Sequence, residues 1–143
     1  MNSVPFDELK LGDAAESRKT ISESDVYLFA GVTGDFNPLH VDAEYAKGTP
    51  FGARVAHGPL TLSLCAGLLG TELPGLGTIA ISNYVEYKAP VYFGDTIAVR
   101  VEVAELDEER GRATMAITWT NQDATVVATG SMVVKPPRER VTL

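Results

Sequence analysis

The sequence predicts a layered α+β domain, and three observations carry the prediction. Apolar residues in the first half recur at helical spacing; a run from Leu60 to Leu69 (LTLSLCAGLL) carries no charge on any face; and after Gly77 apolar residues fall at every second position. An antiparallel sheet of about five strands accommodates both the alternation and the apolar run if it curls around that one long helix.

Each element has its own signal. Ala14 to Ile21 alternates weakly and is expected to add an edge strand. Ser22-Glu23-Ser24-Asp25 reads as a capping box with Asp in the usual Glu place, and Val26, Phe29, Ala30 and Thr33 follow at i, i+3, i+4 and i+7. A helix over Ser22 to Thr33 follows. Asp42 to Gly48 (DAEYAKG) opens on an acid and closes on Lys47 and Gly48, which suits a second, short helix, so that a helical segment spans about Ser22 to Gly48. Pro59 sits where a first-turn proline belongs, and the uncharged run after it predicts a buried helix over about Pro59 to Leu69. Beyond Gly77 the strands read as Ile79 to Tyr87, then Ile97, Val99, Val101 and Val103, then Ala113, Met115, Ile117 and Trp119, and last Val126 to Val134. Gly94-Asp95, Asp107 to Gly111 and Asn121-Gln122-Asp123 supply turn chemistry at hairpin positions. Pro136 to Leu143 reads as an extended tail on a single domain of residues 1–143.

Composition narrows the function. Twelve basic against nineteen acidic side chains leave a net charge of −7, which disfavours nucleic acid and anionic membrane as partners. One cysteine and two histidines exclude a disulfide framework and give no conventional metal cage, so no metal is expected. Cys65 reads as a small buried hydrophobe. The opening MNSVPFDELKLGD lacks the basic and apolar blocks of a signal peptide, and no run reaches membrane-spanning length, so the expected location is the cytoplasm.

Both histidines fall within Gly34 to Gly58. In Gly34-Asp35-Phe36-Asn37-Pro38-Leu39-His40 the acid and the imidazole are five residues apart, a spacing that separates them on a helix and places them on opposite faces of a strand. Only a folded-back loop brings them together, and Gly34 with Asn37-Pro38 supplies its turn chemistry. Read singly, Asp35 is a turn or cap residue and His40 a hydrogen-bonded structural histidine. His57-Gly58-Pro59 stands at the start of the apolar helix, where unpaired N–H groups make either an oxyanion site or a plain turn. His57 is an alternative base, but His40 is preferred because its own loop carries a carboxylate.

GDFNPLH followed by VDAEYA, then AHG before an apolar helix, then GLLGTELPGLGT, and finally Tyr87 to Asp95 (YKAPVYFGD) resemble the MaoC-like hydratases, in particular the (R)-specific enoyl-CoA hydratases. The resemblance covers nearly the whole chain. It implies a hot-dog fold with a helical overhang, homodimers, and a thioester pocket near the dimer interface. It places Asp35 and His40 at the catalytic positions, Gly58 at the carbonyl-binding position and Asn37 in the loop. One departure is Ala66, where relatives carry a polar Ser, and it bears on acyl-chain preference.

The implied reaction is reversible hydration of a trans-2-enoyl-CoA to an (R)-3-hydroxyacyl-CoA, with no cofactor. Leu62, Ala66 and Leu69 share one helix face and are candidates for the acyl pocket, against plain core packing. Arg54, Lys88, Lys135 and Arg138 are candidates for the CoA phosphates, against solvated surface charge. The alternatives are a dehydratase acting on acyl groups held by an acyl carrier protein, a hot-dog thioesterase, and a non-catalytic acyl-thioester binding subunit.

Overall fold

A computed structural model describes all of residues 1–143. After a single 3-10 turn at Phe6–Glu8, the elements are β1 (Ala14–Thr20), α1 (Glu23–Thr33), α2 (Pro38–Val41), α3 (Ala43–Lys47), α4 (Gly58–Ser63), α5 (Cys65–Thr71), β2 (Ile79–Tyr87), β3 (Thr96–Asp107), β4 (Arg112–Thr120) and β5 (Val126–Lys135).

Local chemistry starts α1 as expected. The Ser22 hydroxyl accepts from the Asp25 amide at 3.2 Å while the Asp25 carboxylate accepts from the Ser22 amide at 2.8 Å. That amide, together with Lys19 at 2.9 Å, holds the Asp25 carboxyl below its ordinary range. Gly34 ends the helix in the left-handed conformation at φ 78°, its N–H donating to Ala30 O at 2.8 Å, which turns the chain into the next loop. Val26 and Ala30 face the core, but Thr33 is exposed and returns its hydroxyl to Phe29 O.

The strands form one antiparallel sheet in the order β1-β3-β4-β5-β2. Val99 lies opposite Trp119, Val101 opposite Ile117 and Val103 opposite Met115, so the alternating residues of β3 and β4 share one buried face. Two of the three expected hairpins form, β3–β4 and β4–β5. The turn at Gly94-Asp95 is different: β2 pairs with β5 and β3 with β1, so the connection carries the chain from one edge region of the sheet to the other. The alternation of β2 also buries less than its pattern implies. Ile79, Ile81, Tyr84 and Tyr87 are exposed, because β2 is an end strand with one neighbour.

The apolar helix departs from expectation in two ways. It is two segments, α4 and α5, meeting at Leu64, whose dihedrals remain helical (φ −61°, ψ −21°) but whose N–H bonds three residues back to Thr61 O. It is also one-sided. Thr61, Cys65, Leu68 and Leu69 are buried, whereas Pro59, Ser63, Ala66, Gly67 and Gly70 are exposed, since the sheet covers one side and the small residues opposite offer little surface to bury. The tail from Pro136 forms no helix or strand; Arg140 donates to Ser3 O and pairs with Glu8, fastening it to the N-terminal segment. No helix is long and apolar enough to cross a membrane.

Burial pushes the Cys65 thiol from 9.0 up to about 11. The protonated thiol is the form the fold favours, so its contribution to stability is complete below the unfolded value near 9.0 and is lost as pH rises towards about 11. Iodoacetamide at pH 8 should leave the native chain unlabelled and modify it after unfolding in urea; labelling of the native chain would contradict this burial.

Candidate active site

The loop Gly34–Asn37 is built by its own polar groups. The Asp35 amide donates to the Thr33 hydroxyl at 3.3 Å, and the Asp35 carboxylate accepts from the Asn37 amide at 3.2 Å. Asn37 caps α2, its side chain accepting from the Leu39 amide at 3.1 Å, and Pro38 opens that helical turn. The single turn of α2 carries His40 inward, where its Nδ1 lies 2.7 Å from Val55 O. A carbonyl only accepts, so Nδ1 carries the hydrogen and Nε2 holds the lone pair in the neutral ring. The spacing that separates Asp35 and His40 on any regular element is thus resolved by half loop and half helix.

A carboxylate oxygen of Asp35 and one ring nitrogen each of His40 and His57 lie within 4.8 Å of one another. That separation lets one water hydrogen-bond the acid and His40 together. Asp35 is exposed, His40 nearly buried and His57 fully so. The His57 Nε2 donates to the backbone carbonyl of Asp35 at 2.9 Å, and the two imidazoles lie against each other, tilted by 31°, with centroids 3.9 Å apart. His40 Nδ1 and His57 Nε2 are both committed to carbonyls, which leaves Nε2 of His40 uncommitted, while Nδ1 of His57 is buried without a partner.

His40 and Gly58 open onto the same cavity of about 380 Å3, whose walls include Phe51, Val55, Thr61, Tyr87, Val91 and Val127. Gly58 is the first residue of α4, so its N–H has no acceptor within its own helix. The absence of a side chain there matters sterically, because a Cβ on Gly58 would stand 2.8 Å from Cζ of Tyr87. Burial in this wall also raises the Tyr87 phenol above its ordinary range. A larger cleft of about 650 Å3 lies at the far end of the strands, lined by Asp7, Glu108, Glu109, Lys135 and Arg138 among others. It holds neither imidazole nor Gly58 and is no candidate for the same chemistry.

The remaining expected site residues are scattered. Leu69 is in the core, Leu62 packs half-buried against it and Ala66 is exposed; none lines the cavity, whose apolar walls come instead from Phe51, Val55, Ala56 and Val127. Of the basic candidates, Lys88 alone borders the cavity, paired with Glu86. Arg54 bonds Glu23 at 2.6 Å and lies over Phe93, while Lys135 and Arg138 line the far cleft. His57, set aside in sequence for want of a neighbouring acid, meets Asp35 through its main chain. Backbone carbonyls leave no trace in a residue pattern, and its position directly before Gly58 is the one signal that points to it.

Residues 10–127 match the family described as MaoC like domain. The chain belongs to the MaoC-like family. Among its relatives are a 3-hydroxybutyryl-CoA dehydratase of Methylorubrum extorquens, 46% identical with 94% of this chain and 85% of the relative covered, and an (R)-specific enoyl-CoA hydratase of Rhodospirillum rubrum, 42% identical with 93% and 92% covered. Among solved structures, an R-hydratase from Pseudomonas aeruginosa in unliganded form superposes with a TM-score of 0.93 at 38% identity, covering 99% of this chain and 90% of that one. The MaoC-like chain therefore has the hot-dog arrangement of the R-hydratases, with its five-stranded sheet against α4 and α5.

Proposed function

We propose that this chain hydrates trans-2-enoyl-CoA thioesters to (R)-3-hydroxyacyl-CoA, reversibly, as a hydro-lyase. The observation that carries the reading is the convergence of Asp35 and His40 within one water's reach, with His40 and the Gly58 amide on one cavity. Asp35 and the free Nε2 of His40 hold the water and take its proton as oxygen attacks C3; the pair then returns a proton to C2. Charge developing on the thioester oxygen falls to the Gly58 N–H. The groups named are side chains, one amide and water, and by microscopic reversibility they also serve dehydration. Six residues of α4 give Gly58 only a short helix behind it, so the directed N–H matters more than the helix dipole.

The same reading includes a homodimer and a cytoplasmic setting. The exposed Ile79, Ile81 and Tyr84 on the end strand β2 and the uncovered small-residue side of α5 support the pairing of two copies. Adding the protein to crotonyl- through dodecenoyl-CoA should lower the ultraviolet absorbance of the conjugated thioester to its equilibrium level and yield the (R) alcohol. Absence of hydration at every chain length, or release of free thiol without loss of conjugation, would overturn the assignment. Parallel assays with carrier-bound acyl groups separate the CoA reading from the carrier-protein one.

A further inference from the structure

We propose that His57 is a positioning residue that sets the mutual geometry of Asp35, His40 and the Gly58 amide; the inference rests on the hydratase reading above. Three contacts of one ring make the case. Its Nε2 donates to Asp35 O at 2.9 Å, its ring centroid lies 3.9 Å from that of His40 at an interplanar angle of 31°, and that of Phe29 lies 5.0 Å away. Its backbone is continuous with Gly58.

The hydrogen bond to Asp35 is singular. The remaining hydrogen bonds of Gly34–Asn37 run to residues between Ala30 and His40, so the loop holds its own shape but is tied to no distant segment by them. The His57 bond is the one that fixes the loop against the wall carrying Gly58. His57 is itself anchored: Ala56 N–H donates to Val91 O at 2.8 Å and His57 O accepts from Thr61 N–H at 3.2 Å. Position is thus transmitted from the core, through one imidazole, to the acid, the base and the amide together.

The ring also carries a cost that asks for a reason. Its Nδ1 is buried without any hydrogen-bond partner in a residue 1% exposed. An aliphatic side chain would fill the space without that orphan, but it would donate nothing to Asp35. A direct role as base fits poorly, since Nε2 is spent on the carbonyl, Nδ1 is sealed, and His57 is absent from the cavity walls.

Three variants test this. His57→Leu keeps bulk and loses the donor; His57→Gln places an amide N–H near the position of Nε2; His57→Asn keeps polarity but is too short to reach Asp35. Leu and Asn should each lower kcat by about 30-fold or more with KM within about threefold of the wild type, because misplacing reacting groups by ~1 Å costs up to about 10²-fold. Gln should recover to within about fivefold of the wild type. Amide hydrogen exchange over Asp35–Asn37 should quicken in Leu and Asn and stay slow in Gln. If Leu does not fold, the Gln and Asn pair decides alone. Wild-type kcat in Leu or Asn overturns the proposal, as does Gln as slow as Asn with the loop still protected, which would assign the imidazole a chemical role. A wild-type protein inactive on every enoyl-CoA would instead sink the hydratase reading, leaving the exchange measurement to judge the tether.

Discussion

Asp35→Asn and His40→Ala should each slow enoyl-CoA hydration by about 10²- to 10⁴-fold, the range that positioned acid–base groups contribute, while the thioester still binds. Asp35 is exposed and bonded within its own loop, so Asn in its place keeps the shape of the turn and loses the charge proposed to orient the water. His40→Ala removes the nitrogen proposed to take the proton and the ring set against His57. Because both groups act on one water, the double variant should be scarcely slower than the worse single one, not the product of the two. Steady-state rates on a short enoyl-CoA, with circular dichroism to confirm the fold, give the answer. Either variant at the wild-type rate, or strictly multiplicative losses, would dissolve the pair.

Gly58→Ala should lower kcat/KM by roughly 10²-fold without unfolding the chain, the effect expected of misplaced reacting groups. The added methyl would meet Cζ of Tyr87 at 2.8 Å and Cε1 and Cε2 at 3.1 Å, closer than carbon atoms pack. Either the half-exposed phenol swings away or the first turn of α4 retreats, and both alter the cavity wall that carries the amide proposed to bind the carbonyl. Complete loss of one such donor costs about 2.7–4 kcal/mol elsewhere, and alanine, which keeps its N–H, should fall short of the upper value. A combined Gly58→Ala/Tyr87→Ala variant separates the causes: recovery identifies the collision with the ring, and no recovery identifies the methyl itself as the obstruction. Unchanged kcat/KM in Gly58→Ala would remove this amide from the site.

Some of the molecule was legible residue by residue. The Ser22/Asp25 box depends on groups a few positions apart, and the alternation in β3 and β4 depends on which face is buried. The acid–imidazole pair was legible through the resemblance of GDFNPLH to the MaoC-like hydratases; Asn37-Pro38 signals a turn, but read singly Asp35 and His40 suit structural roles as well. Where the neighbour was distant, the pattern was silent. Nothing in Ile79 to Tyr87 tells that this strand pairs with β5 and not with β3, since either partner accepts the same alternation, and its outward exposure follows only from that end position. The run after Pro59 shows no charged face, yet small residues tolerate solvent almost as well as burial, so its one-sidedness is set by what covers it.

What the chain determined by itself is therefore its helix starts, its strand period and a turn between Asp35 and His40, all matters of neighbours within a few residues. Tertiary structure alone decided the strand order, the cavity walls drawn from Phe51, Val55, Tyr87 and Val127, and the ring of His57 on the Asp35 carbonyl. The physical reason is common to all three: each rests on contacts between distant segments, whose closing entropy is repaid only when the whole core forms together.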